Sequence, residues 1–556
     1  MSVSTHPLST HSSGMRKFSL LAMAITLAAC QGESNTSSEA QSSAVPAPVS
    51  AAMAESEPLV FEGTVESLQQ YQAPEWFRDA KLGIYLHWGA YSVAEQGEWY
   101  PRYMYVEGRP EYAHHLENYG HPSEHGYKDI IDLWKAEKFD PDRLVKLFKQ
   151  AGAKYFSPVA VHHDNFDLWD SIHHEWNAVD KGPGKDLIGM WRKATLDNGL
   201  RWGVTTHLSR SYSWLNTSKG ADKEGPYAGV PYDGNDPAYA SLYHPPHDDT
   251  HPRAPENPSK EWRDQWASRM IDLIDNYQPD IFYFDCAIPF RGEDEGQTGM
   301  DVIAHLYNTS IKNHDGKMEA VMAVKERPWQ GLYADGVTTL DYERGKASHI
   351  LPEPWQTDDS IGPWGYRDRG GWMDTHGKLR AVEYMDSNMV IDKFIDIVSK
   401  NGNMLLNIPI RADGTLDDDT EQVLEGMGGW LEVNGEAIYG SRPWYMYGEG
   451  PTTEIDHRAT RSPYTRKDIR FTTNNGKLYA MILDWPGAGK KFTIQNITAM
   501  NTRIGKVTAV DMLGADGPLV WEQSGDGLVI TMPKDKPNDI AYTLRITIDG
   551  GVQPGV

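Results

Sequence analysis

The stretch DPDRLVKLFKQAGAKYFSPVAVHHD, residues 140–164, holds one copy of the pattern that decides the fold. Residues 140–153 read as an amphipathic helix, with Asp140 as its cap and Pro141 in its first turn. Residues 154–164 read as a short apolar strand that ends in His162, His163 and Asp164. The pattern recurs on both sides. KLGIYLHWG (81–89), RWGVTTHLS (201–209), DIFYFDC (280–286), EAVMAVKE (319–326), TTLDYERG (338–345) and NMLLNIPI (403–410) are strand-like. KDLIGMWRKATLDNG (185–199) and SKEWRDQWASRMIDLIDNY (259–277) are helical. Strand–helix alternation on this scale predicts a parallel sheet, and the length favours an α/β fold of the (β/α)8-like barrel type.

The texture changes after about residue 440. KLYAMILDWP, KKFTIQNI, GKVTAVDML, GLVITMP and AYTLRITI are short alternating strands split by Gly, Asp and Asn turns, which predicts a C-terminal β-sandwich. The expected division is a barrel over 58–440 and a sandwich over 441–556.

The chain of 556 residues carries 53 basic and 78 acidic side chains, a formal charge of −25. Such an acidic body repels nucleic acid and anionic lipid, so neither is expected as a partner. Only Cys30 and Cys286 are present, too few for a disulfide framework. Cys30 ends MRKFSLLAMAITLAAC (15–30), a short positive segment, an apolar run and small residues. The run is too short for a permanent membrane span. It resembles a bacterial lipoprotein signal over residues 1–29, cleaved before a lipidated Cys30. An ordinary cleaved signal with an incidental Cys30 is the alternative. Residues 30–57 are rich in Ser, Ala, Pro and Glu and read as a disordered tether. Gln31 after the cysteine resembles outer-membrane sorting, with the protein facing the periplasm or the exterior; contact with the membrane is then through the lipid anchor alone.

His87, His162, His163, His207, Asp285 and Glu343 all fall at the C-terminal ends of the expected strands, the rim where barrel active sites are built. Each buried polar group needs a partner, so six at one strand end are hard to explain by packing alone. Two carboxylates converging on one rim suit glycoside hydrolysis, one as nucleophile and one as acid and then base. Strand-end acids also serve as partners of arginine. A zinc reading of His162, His163 and Asp164 meets the objection that adjacent strand residues point to opposite faces. No HExxH motif accompanies it. Neutral imidazoles donate and accept at once, which suits sugar hydroxyls. A twisted or bulged strand end lets both rings reach one monosaccharide.

WFRDAKLGIYLHWGAYSV (76–93), EWY (98–100), HHDNFDLWDS (162–171), KDLIGMWRKATLDNGLRWGV (185–204), DIFYFDC, PWQTDDSIGPWGYR (354–367), NGNMLLNIPIRADGTL (401–416) and NGEAIYGSRPW (434–444) together resemble the retaining α-L-fucosidases of glycoside hydrolase family 29. The resemblance spans residues 72–444. It implies a (β/α)8-like barrel followed by a β-sandwich, double displacement with net retention, a fucosylated oligosaccharide or polysaccharide as substrate, and no metal or other cofactor. Asp285 takes the nucleophile position. His87, Glu98, Trp99, His162 and His163 take sugar-binding positions, and Tyr85 and Trp364 lie where the family places apolar groups that suit the methyl of fucose. The acid/base is Glu343 or, from the preceding strand, Glu326. One departure stands out: GVTTHLS (203–209) has His207 near the place of a usual aromatic. It opens two further readings of the same chemistry, an α-L-galactosidase and a sulfo-sugar glycosidase on algal polysaccharide. For an anionic substrate, Arg102 or Arg344 would have to offset the net charge. A catalytically inactive surface carbohydrate-binding lipoprotein is the reading from another class.

Overall fold

The computed structural model describes residues 60–556, apart from 252–254, 286–287, 289–292, 326–335, 369–370, 374–377, 454–460 and 502. The signal, Cys30, the tether, Cys286 and Glu326 lie outside those residues. No helix among the described residues is long and apolar enough to cross a membrane.

Asp140 accepts a hydrogen bond from Arg143 N at 3.0 Å and so starts helix α1, Pro141–Gln150. Such a cap contributes about 1 kcal/mol. Leu144, Val145 and Phe148 form its buried stripe. The strand after it comes in two pieces, Tyr155–Phe156 and Val159–Val161, interrupted by Ser157 and Pro158. Pro158 has no N–H for the ladder. Both pieces pair in parallel with the strand Arg201–Thr206, so they act as one strand, β2.

Eight parallel strands close the barrel: β1 Leu82–Tyr85, β2, β3 Arg201–Thr206, β4 Ile281–Phe284, β5 Val321–Lys325, β6 Thr339–Glu343, β7 Trp355–Ser360 and β8 Gly402–Asn407. β8 pairs back with β1 through Leu82↔Met404 to Tyr85↔Asn407. Helices α2 (Leu187–Asp197), α3 (Lys260–Tyr277), α4 (Gln297–Asn313), α5 (Ser387–Val398) and α6 (Asp418–Asn434) join α1 around it. The alternation is incomplete: among the described residues no helix joins β5 to β6, and 344–354 runs from β6 to β7 without one. The barrel interior is a separate apolar layer of Tyr85, Tyr155, Val159, Ile281, Tyr283, Val321, Ala323 and Leu405.

The sequence reading finds seven strand-like runs; the eighth strand is β7, whose residues Gln356, Thr357, Asp358, Asp359 and Ser360 are poor strand formers. All six of its residues are buried. Their polar groups are paired on both sides of the sheet. Gln356 Nε2 donates to Asp341 at 2.9 Å, Tyr85 OH donates to Asp358 at 3.1 Å, and Lys393 Nζ on α5 donates to Asp359 at 2.5 Å. Tertiary pairing overrides local propensity here.

Beyond the barrel, Arg442–Glu449 opens a five-stranded antiparallel sheet, and Lys491–Ile494, Gly527–Thr531 and Val520–Ser524 form a three-stranded one. Phe471, Leu478 and Ile546 of the first share a core with Ile494, Leu528 and Ile530 of the second, which makes a β-sandwich. A buried ion cluster ties it to the barrel: Asp396 of α5 pairs with Arg470 of the sandwich, Lys400 at 2.8 Å and Lys346 at 2.9 Å. Asp396 is buried, and the cations around it hold its carboxyl below the usual range.

Candidate active site

Three neighbouring strands carry the candidate reactive groups. The apolar run of β4 ends at Phe284, which stands level with Thr206 of β3 and Val324 of β5. Asp285 follows it, anchored by its N–H donating to Thr206 O at 3.1 Å. On β6, Asp341 is level with Lys325, and Glu343, two residues on, is level with Asp358 of β7. Period-two alternation then turns Asp341 and Glu343 to the same face. Glu343 keeps 47% of its side chain exposed and Asp285 only 10%. That difference suits an acid at the open rim and a nucleophile below it.

Lys325 Nζ ion-pairs with Asp285, and it lies 3.0 Å from Asp358 Oδ2 and 3.6 Å from Glu343 Oε2. Below, Tyr283 OH donates to Asp341 at 3.0 Å and reaches Asp285 at 3.4 Å. Burial, and next the charge of Asp358, push the Asp341 carboxyl well up. Burial also raises Asp358, with Lys325 opposing the rise. Neither Lys325 nor Asp358 stands out in the sequence. Lys325 ends a strand-like run beside Glu326, and Asp358 lies in a stretch too polar to read as a strand.

The histidines form one wall. Ring centroids of His162 and His163 are 4.2 Å apart, His162 and His207 4.7 Å, and His87 and His207 4.9 Å. β2 ends at Val161, so His162 and His163 stand past the strand and escape its alternation. The objection that neighbouring residues face apart therefore does not apply. Donor atoms of His87, His162 and His207 lie within 4.8 Å of one another, as do those of His163, His207 and Asp285. These two sets could hold a divalent cation as well as a sugar. Burial holds all four imidazoles well below their ordinary pKa, so they are neutral.

Hydrogen bonds fix two of the tautomers. His163 Nδ1 lies 2.7 Å from His207 O, and a carbonyl only accepts, so Nδ1 holds the proton. His87 Nδ1 lies 2.9 Å from Asn407 Oδ1, while Asn407 Nδ2 donates to Ser360 Oγ and to Trp364 O, each at 2.9 Å. In both rings Nε2 is thus the unprotonated, accepting nitrogen. His207 Nδ1 is 3.1 Å from Asp285 Oδ2.

The remaining residues sort into walls and floor. Glu98 accepts from Gly365 N at 2.9 Å, and a Cβ on Gly365 would meet Glu98 N at 2.7 Å, so the approach requires glycine. Trp99 is half-buried with its ring 5.8 Å from His163 and 5.6 Å from Trp214. Trp364 is half-buried, 5.2 Å from His87, with the Arg344 guanidinium 4.4 Å over its face. Tyr85 is fully buried and its hydroxyl is committed to Asp358, which makes it floor beneath His87. Arg102 is engaged with Trp214 O. Tyr91, 5.2 Å from His162, and Trp214, 5.4 Å from His163, complete the wall; no sequence signal marks either.

Comparison with known proteins agrees with this geometry. The family profile Alpha-L-fucosidase matches residues 49–436, and the profile Alpha-L-fucosidase C-terminal domain matches residues 462–547. The chain is 29% identical over 493 residues to the tissue alpha-L-fucosidase of Rattus norvegicus, covering 86% of this chain and 91% of that one. It is 28% identical to the plasma alpha-L-fucosidase of Homo sapiens, covering 85% and 89%. Its fold matches the crystal structure of Thermotoga maritima alpha-fucosidase with a TM-score of 0.65 at 26% identity, over 88% of this chain and 100% of the other. The same bacterial enzyme in complex with fucose matches with a TM-score of 0.64 over 87% and 99%.

Proposed function

The chain belongs to the α-L-fucosidase family of glycoside hydrolases, and from that premise we propose that Asp285 and Glu343 are its reacting pair. The protein is a retaining α-L-fucosidase acting on terminal α-L-fucosides. Asp285 attacks C1 as Glu343 gives its proton to the departing glycosidic oxygen, which forms a β-linked glycosyl-enzyme. Water then attacks C1 from the other face while Glu343 takes its proton, and α-L-fucose leaves. His87 and His163, each with Nε2 as acceptor, together with His162, Glu98, Trp99 and His207 hold the sugar. Trp364 lies against its methyl.

The observation that supports this pairing is the Lys325 ammonium, which ion-pairs with Asp285 and lies 3.6 Å from Glu343. Two carboxylates reached by one ammonium are close-set, as covalent double displacement requires (roughly 5 to 5.5 Å). The test is a panel of 4-nitrophenyl glycosides with the first-formed anomer read by NMR. The expected result is α-L-fucose as the initial product. A single methyl is worth about 1 kcal/mol, so α-L-fucoside should exceed α-L-galactoside by only about fivefold in kcat/KM. Release of the β anomer first defeats the double displacement. A preference for L-galactoside or a sulfated sugar moves the assignment within the same chemistry.

The N-terminal assignment rests on the sequence. Cleavage before Cys30 and its lipidation anchor the enzyme to a bacterial membrane, with the outer membrane favoured by Gln31. Expressed in a bacterial host, the full chain should partition into the detergent phase of a Triton X-114 separation, and Cys30→Ser should move it to the aqueous phase. Equal partitioning of the two ends this proposal.

A further inference from the structure

Lys325 ends β5, the strand between those that lead to Asp285 and Glu343, and it is 5% exposed. Its ammonium meets three carboxylates, Asp285, Asp358 and Glu343. The groups packed around it come from every adjoining strand. They are Tyr85 on β1, which shares Asp358 Oδ2 with it, His87 after β1, His207 after β3, Tyr283 on β4, Asp341 on β6 and Asp358 on β7, with the Trp364 ring 5.8 Å away. His207 is kept neutral by burial, and Arg344 gives one guanidinium nitrogen to Gly362 O at 2.8 Å while covering Trp364. Among the described residues, Lys325 is therefore the full positive charge in contact with Asp285.

We propose that Lys325 is a positioning residue that acts through the two reacting carboxylates, keeping Asp285 ionised in the free enzyme and favouring the ionised form of Glu343 once Asp285 is esterified. The proposal rests on reading Asp285 and Glu343 as the reacting pair. The charge balance carries it. Before reaction Asp285 is a carboxylate and Glu343 an acid, one negative charge between them. In the first step the C1–Oδ bond forms, the glycosidic C1–O bond breaks, and the Glu343 proton goes to the leaving oxygen. Asp285 is now a neutral ester and Glu343 a carboxylate. One negative charge remains, moved from one partner of Lys325 to another. In the second step the water oxygen bonds to C1, the ester C1–Oδ bond breaks, and the water proton returns to Glu343. The negative charge moves back to Asp285. A fixed ammonium within reach of both positions suits this exchange, and an opposite charge at such range favours the ionised form by about 1 to 3 pKa units. Asp358 lies 3.0 Å from Nζ and holds the lysine in place when Asp285 lets go.

The test compares pH profiles of kcat/KM on 4-nitrophenyl α-L-fucoside for wild type, Lys325→Met and Lys325→Arg. Losing the cation disfavours both carboxylate forms, so in Lys325→Met both limbs should move toward higher pH, by about one unit or more. Lys325→Arg should keep the limbs near wild type even if its rate falls. In Lys325→Met the intact-protein mass should also show glycosyl-enzyme accumulating with an activated fucoside, because less of Glu343 is ionised and able to take the water proton in the second step. Limbs that stay in place while all rates fall together would overturn the proposal and leave Lys325 a scaffold residue. Should Lys325→Met fail to fold by circular dichroism, Lys325→Gln carries the same comparison, and unmoved limbs there have the same force. Azide rescue at Asp285 tests the pairing separately: rescue with unmoved limbs removes only the role of Lys325.

Discussion

Replacing Asp285 with alanine should lower kcat on 4-nitrophenyl α-L-fucoside by about 10⁶-fold, roughly 8 kcal/mol, the scale seen when a covalent nucleophile is deleted. The loss is chemical, because the apolar strand β4 that leads to it is unchanged. Lys325 keeps Asp358 and Glu343 as partners, so the ammonium is not stranded. The thermal midpoint should therefore stay close to wild type. The space left is small and faces a cation, so azide enters it and attacks C1 from the side Asp285 used. The product is the β-L-fucosyl azide, read by NMR. An alanine variant that keeps wild-type turnover, or azide that restores no rate while the fold is intact, would remove Asp285 from the nucleophile role.

Glu343→Ala should give a loss that depends on the leaving group. General acid assistance contributes about 10²- to 10⁴-fold, and it matters least where the leaving group departs without a proton. We expect a fall of roughly 10⁴ in kcat/KM on a fucosylated sugar and a far smaller one on an activated aryl fucoside. Hydrolysis of the glycosyl-enzyme also slows without the base. Azide needs no base and attacks the β-linked ester from the opposite face, so here the product is the α-L-fucosyl azide. The opposite anomers from the two variants assign the two roles independently. The alkaline limb of the wild-type profile should vanish in Glu343→Ala, since no proton on Glu343 remains to be lost. Glu326→Ala is the matched control. If it, rather than Glu343→Ala, loses the alkaline limb and yields the α-azide, the acid/base role passes to Glu326.

The rim residues were legible because their signal is local. An apolar run followed by a polar residue marks a strand's C-terminal end whatever the rest of the chain does, and His87, His162, His163, His207, Asp285 and Glu343 all carry that mark. The structure gathers them around one end of the barrel, the histidines ring to ring, His207 on Asp285, and Lys325 between Asp285 and Glu343. β7 was not legible, since Gln356, Thr357, Asp358, Asp359 and Ser360 argue locally for a loop. Their burial becomes tolerable only when Tyr85, Asp341, Lys325 and Lys393, up to 273 positions away in sequence, supply partners. The same holds for Tyr85, which reads as an apolar surface for the sugar and lies instead in the floor with its hydroxyl on Asp358.

By itself the sequence determined the barrel class and the sandwich after it, and it marked Asp285 and Glu343 as strand-end candidates, because periodicity and strand-end chemistry are written in neighbouring residues. Only the tertiary structure decided what surrounds those carboxylates. Lys325 and Asp358 converge on Asp285 and Glu343 because parallel strands with no sequence continuity lie level in one sheet, and His162 and His163 share a wall because the strand stops one residue before them. Electrostatics in a buried site depends on distances across the barrel, and those are set by register and closure rather than by any local run of residues.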